Sequence, residues 1–174
     1  MKNSVLPTNR EIVMADGDFI VSKTDLKGRI TYANRVFMKI AGYPEQELLN
    51  EQHNIIRHPD MPRGVFRLLW NVIESGQECF AYVKNMAKNG DYYWVFANVT
   101  VDYDNAGKPI GYFSVRRKPS KAGIEAITPV YAEMMRIEQK AGVRDAPDAS
   151  VNWLVDLLRD KGTTYEEFIH TLGH

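Results

Sequence analysis

Between Cys79 and Arg117 apolar residues recur at every second position, while the flanking segments carry them at helical spacing or in short runs bounded by turn residues. Residues 18–24 read as a strand, 25–28 as a hairpin turn and 29–33 as the partner strand. Asn34 stands where an N-cap belongs, because its side chain can accept from the first free amides of a helix. That helix carries Phe37 and Ile40 and stops at Gly42; residues 44–49 suit a single helical turn opened by Pro44. A longer helix places Val65, Leu68, Leu69, Val72 and Ile73 inward and ends at Gly76. Phe66 and Trp70, four apart, share a face of it and can form one aromatic wall.

The period then becomes two. Cys79, Ala81, Val83 and Asn85 fall on one face, with Phe80, Tyr82, Lys84 and Met86 on the other. Asn89-Gly90 marks a hairpin turn, residues 92–103 a long strand, 104–108 another turn and 109–117 a third strand. Strands and helices are segregated rather than alternating, which predicts an α+β domain with an antiparallel sheet.

From Pro119 the chain reads as helical. Ile124, Ile127, Val130, Tyr131, Met134 and Ile137 form a stripe, with an internal restart expected at Thr128-Pro129. The Gly, Pro and Asp residues of 142–149 read as a linker, and Ser150 as the cap of a helix bearing Leu154 and Leu158. Thr164 and Glu167 make a capping box for a last helix with Phe168, Ile169 and Leu172. The expected organisation is a loose leader over 1–17, a domain over 18–118 and a helical extension over 119–174. An extension of this size cannot bury its apolar faces alone and must dock on the domain or on a partner.

Composition narrows the function classes. A chain of 174 residues with 44% hydrophobic content suits one ordinary domain plus an appendage. Its formal net charge is zero, which argues against a nucleic-acid surface. No apolar run approaches the ~20 residues of a membrane span, and no signal peptide is visible. The single Cys79 permits no internal disulfide and fits a reducing, cytoplasmic compartment. No CxxC, HExxH or phosphate-loop motif is present.

The most informative stretch is His53-Asn-Ile-Ile-Arg-His-Pro-Asp-Met-Pro62. It sets two imidazoles, a guanidinium, a carboxylate and an amide between apolar segments, with two prolines fixing the backbone. Such donors beside a core are what an anionic aromatic ligand needs. The plainer reading is a polar loop with an Arg57–Asp60 surface pair. Other candidates carry the same ambiguity. Asn34 reads as a cap, with or without a ligand contact, and Phe66 and Trp70 as core residues first. Asn98 could bond a neighbouring loop, and His58 could be a turn histidine. Asn85 inside an apolar strand is harder to set aside, because a buried amide without partners is costly. His170 and His174 carry no case for a site.

The element order, the His53–Pro62 run, Phe66, Trp70, Val83-Lys-Asn85 and the Lys88-Asn-Gly-Asp-x-Tyr-Trp94 stretch together resemble the PAS domain of bacterial aerotaxis receptors, over roughly residues 15–135. The resemblance implies a PAS fold: a five-stranded antiparallel sheet with short helices on one face, here followed by a helical tail. It implies FAD as cofactor, with Asn34, Arg57, His58, Asp60, Phe66, Trp70 and Asn85 at the flavin-binding positions; Asn98 is added as an amide within a hydrophobic strand. In that role Arg57 would meet the pyrophosphate with Asp60 orienting its guanidinium, and Asn85 or Asn34 would match the mixed donor and acceptor edge of the ring. The family continues into a membrane anchor, a HAMP segment and a methyl-accepting domain, which this sequence does not carry. Signalling is therefore expected in trans, to a chemoreceptor or kinase-like protein, or through a homodimer. The expected function is a cytoplasmic redox or oxygen sensor without catalytic turnover. The alternative is a PAS interaction module with no cofactor or a different ligand such as haem. A light-driven thiol adduct is not expected, because Cys79 begins a strand rather than lying in a helix.

Overall fold

A computed structural model of the chain describes residues 5–173; the first four residues of the expected leader, and His174, lie outside the described residues. Five strands form one antiparallel sheet: β1 (Phe19–Asp25), β2 (Ile30–Ala33), β3 (Cys79–Met86), β4 (Tyr92–Tyr103) and β5 (Pro109–Arg117). Their spatial order is β2-β1-β5-β4-β3. Three hairpins follow from local chemistry. The Asp25 carboxylate accepts from the backbone amides of Lys27 and Arg29 in the first turn. Gly90 and Gly107 turn the other two with φ of 93° and 76°, where a side chain would be strained.

The helices α1 (Arg35–Ala41), α2 (Glu45–Leu48) and α3 (Arg63–Glu74), with a 3-10 turn at His53–Ile56, cover one face of the sheet. Asn34 caps α1, accepting from the Phe37 amide. The core lies between these layers and includes Ile20, Phe37, Leu48, Ile56, Met61, Tyr93 and Val95, all buried. The alternation expected along β3 and β4 is present. Val83, Asn85, Ala97 and Val99 face the helices, and Phe80, Tyr82, Trp94 and Phe96 face outward.

Those outward aromatics are covered by the helical extension, α4 (Lys121–Asp160) and α5 (Tyr165–Thr171). The Tyr131 hydroxyl donates to the Tyr82 carbonyl at 2.6 Å, and the Tyr165 hydroxyl to the Phe80 carbonyl at 2.8 Å. The extension therefore docks on its own domain. His170, for which the sequence offered no role, packs edge-on against Phe80 with ring centroids 4.5 Å apart.

Three local expectations are corrected. The helix does not restart at Thr128-Pro129: Pro129 sits inside α4, and the Thr128 hydroxyl bonds back to the Ile124 carbonyl at 2.6 Å. Residues 142–149 are not a linker. Only Gly142 leaves helical geometry (φ 78°, ψ 166°), and α4 folds back there and continues. Ser150 is not a cap; it is fully buried and donates to Glu138 at 2.7 Å. The leader also differs from a loose segment. Past the end of β5 the start of β4 has a free edge, so Tyr92 exchanges backbone bonds with Arg10 and Ile12, and Met14 is buried.

Candidate functional site

A cavity of about 300 Å³ lies between the inner face of β3, β4 and β5 and the wall made by α3 and the 3-10 turn. Phe66, Leu69, Trp70 and Ile73 line one side, and Val83, Ala97, Val99 and Tyr112 the other. The Trp70 indole stands edge-on to Tyr112, with centroids 5.3 Å apart. It also runs so close to the β1–β2 turn that a Cβ on Gly28 would lie 3.2 Å from it. Exposed Gln52 and Asn54 border the opening.

The polar groups set its character. Arg57 joins the lining because its backbone bridges to Asn85 on the edge strand β3, which brings the two side chains to neighbouring positions. Its guanidinium stacks over the Phe66 ring, 5.1 Å from the centroid, and donates to the Met61 carbonyl at 3.2 Å. The Asn85 amide borders the cavity beside the Tyr93 hydroxyl. At the far end is Arg116, 2% exposed. It donates to the Ser22 hydroxyl at 2.6 Å and to the His53 Nε2 at 3.2 Å, and lies 4.5 Å from the centre of the Phe37 ring. Since a guanidinium only donates, His53 is the tautomer with Nδ1 protonated and Nε2 accepting.

No carboxylate among the described residues pairs with Arg116, and no Asp or Glu lines the cavity. Burial lowers the Arg116 pKa to about 10, which leaves it charged at neutral pH. A buried unpaired cation is costly unless something compensates it. Its Nε has no hydrogen-bond partner among the described residues, nor does the Thr24 hydroxyl, whose residue also lines the cavity. Apolar walls with a guanidinium and an amide at the edge suit an aromatic group rich in acceptors.

His53 carries a prediction. Burial, and then the Arg116 charge, push its pKa from 6.5 down to about 3. The unfolded chain therefore takes up this proton first as pH falls. Folding stability is expected to drop between about pH 6.5 and 3, by up to about 1.4 kcal/mol per pH unit for this group. His58, whose pKa burial also lowers, adds in the same direction. Thermal midpoints of wild type and His53→Gln between pH 7 and 5 check this: the acid slope should be shallower in the variant. Equal slopes would contradict it.

Of the residues singled out from sequence, Arg57, Phe66, Trp70 and Asn85 meet at the cavity, and Asn34, His58, Asp60 and Asn98 lie outside its lining. Asn34 accepts from the Val21 amide and donates to the Phe19 carbonyl, tying α1 to β1. His58 is buried against the edge of Tyr92, its Nδ1 accepting from the Asp60 amide. Asp60 pairs with Lys84 at 2.8 Å and does not orient Arg57. Asn98 points away from the cavity and bonds Glu78 at 3.1 Å. Sequence reasoning missed Arg116, Ser22 and Ser114. The signal was available for the first: Tyr112, Ser114 and Arg116 alternate along β5, so a charge falls on the face that a two-layer domain must bury. The Cys79 thiol is outside the lining, and burial pushes its pKa up to about 12.

Comparison with known proteins bears on the family and the fold. A family model described as the PAS fold matches residues 30–116, from β2 to the cavity's Arg116. The chain is 41% identical over 124 residues to the aerotaxis receptor of Escherichia coli (strain K12), covering 71% of this chain and 24% of the receptor. It is 28% identical over 97 residues to a nitrogen fixation regulatory protein of Klebsiella pneumoniae, covering 56% of this chain and 20% of that protein. The chain thus spans about a quarter or less of these relatives. Among solved structures it is similar to a light-oxygen-voltage domain studied with a flavin analogue (TM-score 0.56, 21% identity, 66% of this chain and 86% of that one). It is also similar to the light state of the blue-light photoreceptor Aureochrome1 LOV (TM-score 0.53, 23% identity, 71% and 94%). At these identities the solved structures speak to the fold. No helix among the described residues is long and apolar enough to cross a membrane. With its sheet, its helical wall and the matched segment in agreement, the chain belongs to the PAS family, its domain related to those of the aerotaxis receptor and the nitrogen fixation regulator.

Proposed function

We propose that this PAS domain binds FAD in the cavity and serves as a cytoplasmic redox or oxygen sensor, signalling to a partner protein or through a homodimer rather than turning over a substrate. The observation that carries the reading is Arg116, a buried charge without a carboxylate partner among the described residues, at a cavity walled by Phe66, Leu69, Trp70 and Val83. Its volume is at the lower end for ligand sites, which suits the ring system rather than a whole dinucleotide. The remainder would leave past Gln52 and Asn54, with Arg57 available to its phosphates as a planar donor. Haem fits less well, because the His53 Nε2 is already engaged by Arg116 and Ser22.

A bound flavin supplies a ring that exchanges electrons and protons. Arg116 would offset negative charge at the ring edge, and its own proton is held firmly enough to stay in place. The Asn85 amide can present either its donor or its acceptor end, so its orientation can follow the bonding state of its neighbour. Asn85 belongs to β3, whose Phe80 and Tyr82 carbonyls hold Tyr165 and Tyr131 of the extension. A rotation at Asn85 therefore acts on a strand that the extension grips, and a small differential preference suffices to bias such an element.

The absorption spectrum of the purified protein tests the reading. Oxidised-flavin bands, with FAD released on heating, are expected. A colourless preparation that takes up no FAD on incubation would overturn it.

A further inference from the structure

The helix that forms the cavity wall does not cap itself. The residue before α3 is Pro62, whose side chain has no acceptor. The first two amides of α3 are instead taken by Glu138 of the extension. The Arg63 amide donates to Oε2 at 3.0 Å and the Gly64 amide to Oε1 at 2.8 Å. The Ser150 hydroxyl adds a third bond to Oε1 at 2.7 Å from the returning half of α4. Glu138 is 8% exposed and Ser150 fully buried. A carboxylate at a helix N-terminus meets both free amides and the positive end of the helix dipole. The Glu138 charge also acts on Arg57 of the cavity, partly offsetting the burial that lowers that guanidinium's pKa. A second link between α3 and α4, Arg67–Asp148 at 2.9 Å, is exposed on both sides and contributes little.

We propose that Glu138 is a positioning residue of the cavity: by capping α3 from the extension it sets the wall bearing Phe66 and Trp70, so that cavity occupancy and docking of the extension reinforce each other. The ligand class rests on the flavin reading above; the coupling of cap to wall does not. Phe66 lies in the first turn of α3, so fraying of that turn moves a lining side chain directly. By linkage, whatever tightens the wall tightens the cap, and release of the extension weakens binding by the same factor. Glutamine at 138 would remove the charge and turn one acceptor into a donor facing a backbone N–H.

The test uses the full chain with FAD as probe, comparing wild type, Glu138→Gln and Asp148→Asn. Glu138→Gln is expected to bind FAD about fivefold or more weakly at a temperature where it is fully folded. Its FAD-induced rise in thermal midpoint should shrink accordingly, while Asp148→Asn matches wild type in both. FAD loading should slow amide exchange at Arg63 and Gly64. Equal FAD affinity in wild type and Glu138→Gln would overturn the proposal, since a merely structural cap would lower the apo and loaded midpoints alike. If wild type takes up no FAD, the flavin reading falls by itself, and exchange in the first turn of α3 decides the rest. Faster exchange through Phe66 in Glu138→Gln sustains the positioning role, and unchanged exchange refutes it.

Discussion

Replacing Arg116 by methionine is expected to reduce FAD affinity by about a hundredfold while leaving the unliganded protein as stable as before or more so. Removing one partner of a desolvated charged contact typically costs about 2–5 kcal/mol in binding, and each 1.4 kcal/mol is roughly tenfold. The stability forecast has the opposite sign because Arg116 has no carboxylate of its own. Exchanging a buried, uncompensated charge for an apolar chain of similar length removes a desolvation cost. The groups it leaves behind can satisfy each other, since the Ser22 hydroxyl and the His53 Nε2 are already 3.2 Å apart. Calorimetric FAD titration and thermal unfolding of the unliganded variant measure the two halves. A large loss of unliganded stability would instead mark Arg116 as a brace, holding β5 to β1 through Ser22 and packing on Phe37. Unchanged FAD affinity would remove it from the ligand account.

Gly64→Ala is expected to release the extension. Alanine ordinarily favours a helix over glycine by about 1 kcal/mol. Here a Cβ would stand 2.0 Å from the Ser150 hydroxyl oxygen, 3.1 Å from the Met134 methyl and 3.2 Å from the Pro147 carbonyl oxygen. Ser150 is held by Glu138 and the carbonyl is backbone, so neither yields readily. A net loss on the order of 2–3 kcal/mol follows from overpacking. That loss should fall on the α3–α4 contact rather than on the sheet. Limited proteolysis should cut within α4 sooner in the variant, and Ser150→Gly in the same chain should restore part of the protection. A variant as resistant as wild type would show that the packing at Gly64 tolerates a methyl group.

The sheet was legible in the sequence because period-two alternation reports directly on burial, and the Asn89-Gly90 turn fixed the register between β3 and β4. Asn85 was legible for the same reason, as an amide on the buried side of an apolar strand. Arg116 obeyed the same rule but went unread, because a charge near a strand end reads as a terminal surface residue until its alternation with Tyr112 and Ser114 is followed. The region around 142–149 misled for a different reason. Its Gly, Asp and Pro look like a linker locally, yet Ala146 and Pro147 are buried, the Pro147 carbonyl lies close to Gly64 of α3 and Ser150 is drawn in by Glu138. Those are contacts between residues distant in sequence, and local composition carries no trace of them. Asp60 makes the same point: its partner is Lys84, twenty-four positions away, and not the nearby Arg57.

On the reading proposed above, the slot between α3 and the β3–β5 face exists for a flavin ring. A crystal structure of the protein loaded with FAD tests it most directly. The ring is expected among Phe66, Trp70 and Val83, with Arg116 and Asn85 at its edge and Arg57 toward the phosphates. Electron density for FAD elsewhere on the protein, or a slot filled by the protein's own side chains while FAD is bound, would contradict it.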